Sequence, residues 1–312
     1  ASTVNGHPGE VPVFTHNGSF GMYAYQVGFN GSGSIEYFKN PVNESEPAFS
    51  NKEISKVNNN GEVTYSYSPK INWPDLVPGK YLRFFTYHPY NHSALTVAQS
   101  TSAEQVDIGY TLPGDPSKHI DLLYWMSPQV GSIANPVNVE FGHALTRLRF
   151  EARISPDNGF PDGTSVKVTR IEIKNAVTEG NLRVIPSGNT TDAGWQLNHA
   201  VKTPLALTTG NGLRDEDYNL FVDAPMNLLV EYGDMIVIPQ DLTGVSMEVS
   251  AEVNGISKTY TYDLGLTSST APWRMNKSVT YQLKFGWDGV SVSTYVADWN
   301  TIGYDVIMDG QY

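Results

Sequence analysis

Between Val245 and Tyr262 the sequence alternates with a period of two. Val245, Met247, Val249, Ala251 and Val253 are separated by Ser246, Glu248, Ser250 and Glu252. A helix repeats its faces every ~3.6 residues, so this pattern fits only a strand with one face buried. Asn254-Gly255 follows, a pair suited to a type I′ turn because both positions need positive φ, and Ile256 to Tyr262 returns as the partner strand. A second hairpin runs through Val279, Tyr281, Leu283 and Phe285, turns around Asp288-Gly289, and returns through Val290, Val292 and Val296. No stretch carries apolar residues at helical spacing over three turns. Ser117 to Met126 is expected to hold a short helix and no more. The chain reads as all-β.

Shorter candidate strands lie in the first half, at Phe20 to Tyr25, Val63 to Tyr67, Tyr81 to Tyr87 and Val106 to Tyr110. Loops rich in Asn, Gly, Ser and Pro separate them, and no repeat of fixed period occurs, which points to sandwiches rather than a β-helix. A chain of 312 residues lies beyond the ~250–300 at which one core tends to split. The break is expected where the alternation changes phase. Val137, Val139 and Phe141 occupy odd positions, whereas Leu148, Phe150, Ala152 and Ile154 occupy even ones. A one-residue slip turns every side chain to the other face, as at a bulge or where a strand changes sheet. The expected division is 1–141, 142–300 and a tail, 301–312.

The 20 basic against 32 acidic residues give a net charge of −12, which disfavours phosphate backbones and anionic lipid surfaces. No nucleic-acid or membrane-surface partner is expected. The absence of cysteine removes disulfides, thiol nucleophiles and Cys-ligated metals. The longest apolar runs, such as Met235 to Ile238, are too short for a membrane-spanning helix. Eighteen Tyr, 28 Gly and 19 Pro give the composition of an exported β protein. Ala1-Ser2-Thr3-Val4-Asn5-Gly6-His7 has neither the basic nor the apolar region of a signal peptide, as expected of a chain following a removed leader.

Enzyme chemistry finds little support. His88 and His92 have the spacing of a helical zinc pair, but Pro89 stands between them and no Glu follows His88. His143 reads as a hydrogen-bonded histidine in a partly buried strand rather than a base. Asp215-Glu216-Asp217 lacks calcium-loop spacing and reads as a solvated loop. No phosphate cradle or nucleophile elbow occurs. No catalytic residue, metal or cofactor is expected. Four or five of the six tryptophans are expected in cores or hairpin contacts.

Several segments together resemble the fimbrillin family of Bacteroidales, the type V pilins and their anchor and tip relatives. Phe20-Gly21-Met22-Tyr23-Ala24-Tyr25 is similar to the family's opening F-x-V-x-A-Y strand. Tyr65 to Lys70 with Trp73-Pro74, then Phe84 to Pro89, is similar to its W-x-Y-x-P…W-P…F-F-A-Y-x-P run. Asp121-Leu122-Leu123 followed by Val139 to Leu145 resembles the D-L-L…F-x-H-A-L junction, the most specific match. Ile238-Pro239-Gln240 resembles the I-P-Q turn, and Tyr281 to Trp299 the closing hairpin ending in V-x-x-W.

The resemblance implies two tandem transthyretin-like antiparallel β-sandwiches with Greek-key connections, export to the outer membrane as a lipoprotein, and no catalysis. It also implies a structural role in a cell-surface fimbrium that supports adhesion. The partners would be other pilin subunits, joined by strand addition, and a host or bacterial surface glycan or protein. In polymerising members an N-terminal strand is cut away and another subunit's C-terminal strand fills the groove. Family precursors carry a lipobox Cys and an earlier strand; this sequence shows neither, and its first arginine is Arg83.

The tail alternates Ile302, Tyr304, Val306 and Met308 with Gly303, Asp305 and Ile307. As a strand its dozen residues span about 40 Å. Ordering that much backbone costs about 1–2 kcal/mol per residue, so such a tail needs a sheet edge to pair with. It reads as a donor strand for a stalk subunit, or as a last strand folding back on its own domain. A non-polymerising adhesin or glycan-binding lipoprotein, as tip or anchor, is the alternative function.

Overall fold

The computed structural model describes residues 18–28, 35–37, 50–59, 62–68, 80–100, 103–128, 137–155, 159–161, 163–187, 190–215, 220, 224–230, 233–265, 272–300 and 302–306. The first half contains β1 (Phe20–Gly28), β2 (Ile35–Tyr37), β3 (Lys52–Asn59), β4 (Glu62–Ser66), β5 (Lys80–His88), β6 (Leu95–Gln99), β7 (Val106–Thr111), β8 (Leu123–Met126) and β9 (Val137–His143). There follow β10 (Thr146–Ile154), β11 (Val166–Lys174), β12 (Glu179–Ser187), β13 (Thr190–Leu197), β14 (Leu205–Thr209), β15 (Gly212–Leu213), β16 (Met226–Asn227) and β17 (Met235–Val237). The last are β18 (Ser246–Val253), β19 (Ile256–Asp263), β20 (Lys277–Gly286), β21 (Gly289–Asp298) and β22 (Ile302–Val306). The protein is all-β.

Seven strands of the first sheet close on themselves, in the order β1-β3-β4-β22-β9-β8-β5 and back to β1, with β2 extending the end of β1. On β1 and β5 residues of both faces are buried, whereas β9 alternates buried Val137, Val139 and Phe141 with exposed Asn138 and Glu140. On β1, Phe20, Met22 and Ala24 join Ile54, Tyr65, Leu82, Phe84, Leu123, Val139 and Phe141 in a core of their own. Phe20 bridges it, 5.5 Å from Tyr65 and 5.2 Å from Phe141 between ring centroids. The alternate residues Tyr23 and Tyr25, with Phe85 and Tyr87 of β5, enter the main core beside Val106, Ile108, Leu182 and Val184. A buried ion pair, Arg83 Nε to Glu104 at 2.6 Å, ties β5 to the chain preceding β7.

The second half is a sandwich. One sheet runs β16-β10-β20-β21 with β17 also on β10; the other runs β15-β14-β11-β18-β19. The alternation in the sequence maps onto its core: Leu148, Phe150, Ala152 and Ile154 face Met247, Val249, Ala251 and Val253 through a common cluster. Both expected hairpins form, β18–β19 and β20–β21, in continuous antiparallel register. At the first turn Asn254 has φ 50° and Gly255 φ 76°, as a type I′ turn requires.

The phase break corresponds to a change of sheet. β9 ends in the ring, Ala144 N–H donates to Leu122 C=O (2.8 Å), and β10 begins in the sandwich. Two later segments return to the first half. Hairpin β12–β13 adds to β7 and β6 in a four-stranded sheet, β13-β12-β7-β6, and β22 enters the ring.

The short helix expected over Ser117 to Met126 is not formed. Asp115 accepts from Ser117 N–H and Pro116 opens a turn, but only a 3-10 turn, Pro116–Lys118, results. Ile120, Leu122 and Leu123 are all buried, and their burial draws the chain into extended conformation and then β8.

Candidate functional site

The tail leaves the sandwich at a junction built from the most specific sequence motifs. Trp299, directly after β21, is held by its N–H donating to Asn276 C=O at 2.8 Å. Its indole lies flat on the His143 imidazole, with centroids 3.7 Å apart and planes 9° from parallel. The Arg147 guanidinium sits 5.1 Å from the same indole. Stacking of this kind contributes about 0.5–1.5 kcal/mol beyond the buried area.

His143 is fully buried, deeper than the partly buried position expected from sequence. Its Nε2 lies 2.9 Å from the Asn300 carbonyl and its Nδ1 2.9 Å from Asp121 Oδ1. The carbonyl can only accept, so Nε2 donates to it. Asn276, with φ +58°, turns its Oδ1 to accept from His143 N–H (2.6 Å), while its own N–H donates to His143 C=O at 3.1 Å. A Cβ at Gly142 would lie 3.0 Å from that Oδ1, so glycine lets the two segments approach. From the neighbouring sheet, Trp195 Nε1–H donates to Ala144 C=O at 2.7 Å. The segments D-L-L, F-G-H-A-L and V-x-x-W therefore meet at one point.

The carbonyl gripped by His143 belongs to the last residue before the tail. From there β22 runs antiparallel to β9, with Ile302 opposite Phe141, Tyr304 opposite Val139 and Val306 opposite Val137. On the other side Val306 pairs in parallel with Tyr65 of β4. Within one chain the tail thus bridges β4 and β9, which do not pair with each other. The opposing β9 residues Val137, Val139 and Phe141 are all buried. Met308 lies outside the described residues.

The other sequence candidates lie apart from this seam. His88 is buried with Nδ1 2.9 Å from Ser19 C=O, and His92 accepts from Ala94 N–H. Among the described residues no three His, Asp or Glu side chains come together as a metal set. Of the acidic triplet only Asp215 is described. Trp273 and Trp299 are buried, Trp125 and Trp195 pack on core clusters, and Trp287 is exposed against Phe160 and Lys258; Trp73 lies outside the described residues. Sequence reading missed Asn276, whose only signal is an Asn before the long β20 strand. It also missed Asn300, which contributes through its backbone.

The all-β chain passes from the ring into the sandwich at the F-G-H-A-L segment. The family model for fimbrillin-like proteins matches residues 12–299, and the chain belongs to that family. Among solved structures, a fimbrial protein from Bacteroides vulgatus superposes with a TM-score of 0.58 at 15% identity, covering 90% of this chain and 93% of that one. A candidate cell adhesion protein from Bacteroides ovatus gives 0.52 at 14%, covering 91% and 87%. At these identities the likeness is one of fold. No curated protein matches the sequence.

Proposed function

We propose that this chain is a structural subunit of a cell-surface fimbrium, assembled by strand addition between subunits. Residues 1–141 form the lobe that receives a strand, 142–300 the lobe from which the tail departs, and 301–312 the donated strand. The observation that carries this reading is the position of β22. It lies between β4 and β9, strands with no pairing to each other, and is anchored at its root by His143. A strand that fills a slot in its own chain makes the same contacts in the slot of a second copy, because exchanging an identical element preserves every pairing. The backbone bonds of an added strand supply affinity and the alternate side chains supply register.

Membership of the fimbrillin-like family supports a fimbrial role without catalysis. The subunit's partners are other fimbrial subunits, and its precursor reaches the outer membrane as a lipoprotein. The test compares the full chain with one ending at Asn300, both read as ladders on an unheated SDS gel. Ladders that require residues 301–312 support the reading. Absence of ladders from both, with both folded, favours a non-polymerising adhesin on the same scaffold.

A further inference from the structure

Strand β21 is the border of its sheet. It stands last in the order β16-β10-β20-β21, and among the described residues no strand pairs with its outer side. Gly286 and Gly289 flank a two-residue turn, so they exchange backbone bonds with each other and the ladder alternates from there. Ser291, Ser293, Tyr295 and Ala297 therefore bond to β20, whereas Val290, Val292, Thr294 and Val296 turn their N–H and C=O groups to the open side. Sheet edges are ordinarily guarded by charge, proline, a bulge or brevity. This edge runs for ten residues in unbroken register, with no charge or proline from Gly289 to Ala297.

Its side chains are also short of cover. Val290, Val292, Thr294 and Val296 extend the buried row Val279, Tyr281, Leu283 and Phe285 of β20. Yet Val290 and Val292 are only partly buried, and Val296 is 46% exposed. Five large apolar side chains are exposed among the described residues, and four of them, Ile256, Trp287, Tyr295 and Val296, lie on the β18–β19 and β20–β21 hairpins. An apolar patch beside an unguarded edge marks a protein interface.

Thr294 selects the occupant. Its Oγ1 is buried without a hydrogen-bond partner, a costly state for a hydroxyl. A second β21, antiparallel and centred on this residue, sets Thr294 opposite Thr294. A rotamer change then lets one hydroxyl donate to the other. The same register sets Val292 opposite Val296, so inward rows meet, and Val290 opposite Asp298, whose carboxylate is already held by Lys277. The four residues with free backbone groups all gain partners, and no like charges meet between Gly289 and Ala297. A two-fold axis requires this kind of self-complementarity. We infer that two copies of the chain associate side by side through β21, joining their sheets across a two-fold axis at Thr294. This lateral contact uses neither the tail nor the ring.

The test uses the full chain, which has no cysteine of its own. Thr294→Cys, oxidised in dilute solution, is expected to form a disulfide-linked pair on a non-reducing gel, since bonded antiparallel partners stand about 5.5 Å apart between Cα atoms. Val290→Cys lies about 26 Å from its own counterpart in this register and is expected to stay unlinked. Adding Val296→Lys to the Thr294→Cys chain places a charge on the edge, and should cut the linked fraction at least tenfold with the thermal midpoint unchanged. Exchange of β22 brings Asn138 and Asp305 together rather than two copies of Thr294, so the two readings fail separately. No linked pair from Thr294→Cys, equal linking at both positions, or linking undiminished in the folded Val296→Lys chain would overturn the inference.

Discussion

The sandwich and the ring are closed by different means. In the sandwich, β20 pairs along almost its whole length with β10, a parallel strand distant in sequence, on one side and with its hairpin partner β21 on the other. The ring has comparable pairing between β1 and β5, yet its last gap is spanned by β22, five residues from the far end of the described chain. The sandwich supplies all its own strands; the ring takes one whose register with β4 is a single pair. Under the proposed reading, it is this closing strand that is exchanged between copies.

Several experiments sharpen or break this contrast. The largest effect is expected from Phe150→Ala, since Phe150 is fully buried against Tyr281 with ring centroids 5.8 Å apart. Its loss should cost about 3–5 kcal/mol, read by chemical denaturation, and equally with or without the tail. A comparable loss is expected in the ring from Arg83→Ala, which leaves the Glu104 carboxylate without its buried partner and costs about 3–5 kcal/mol.

His143→Ala should act on the seam itself. It removes the stack on Trp299 and leaves Asp121 and the Asn300 carbonyl without their donor, a loss of about 2–3 kcal/mol. Hydrogen exchange should rise most in 302–306, with the β10–β20 ladder little changed.

A fourth experiment uses pH. His119 bridges the halves: its Nε2–H donates to Pro113 C=O (2.9 Å) and its Nδ1 accepts from Ile236 N–H (3.2 Å). Burial pushes its pKa down from 6.5 to about 4, so the native ring is neutral. The stabilisation is complete above pH 6.5. It is lost as pH falls from there toward 4, because the unfolded chain takes up a proton that the native ring refuses. The expected loss is up to about 3 kcal/mol, and His119→Asn should flatten the curve over that window. The smallest effect is local: Gly255→Ala, at φ 76° in the β18–β19 turn, should cost about 1 kcal/mol without reaching the ring.

What could be read from sequence was what is local. The β18–β19 and β20–β21 hairpins were legible because alternation and turn residues sit side by side. The change of sheet at Gly142 to Leu145 was legible as a slip of phase. The convergence at His143 was half legible: Asp121 and Trp299 stand in recognisable segments, while Asn276 and the Asn300 carbonyl act through backbone geometry that leaves little trace in residue type. The route of β22 was not legible. Its alternation says strand, but pairing Ile302 with Phe141 and Val306 with Tyr65 depends on contacts across most of the chain. The same holds for β12–β13, which returns to β7. The expectation of a helix after Ser117 failed because burial of Ile120, Leu122 and Leu123 outweighed a sound helix start.

The central claim, that β22 is exchanged between copies, can be measured by cross-linking because the chain has no cysteine of its own. Asn138 and Asp305 are directly opposed in register, and Asn138 is exposed. Opposed antiparallel residues stand about 4.5–5.5 Å apart between Cα atoms, within disulfide range. The single variants Asn138→Cys and Asp305→Cys are mixed, oxidised and run on a non-reducing gel. Disulfide-linked pairs containing one chain of each kind are the expected result. A mixture that stays monomeric, while the double variant forms its disulfide within one chain, would contradict strand addition and leave β22 as a strand that closes only its own ring.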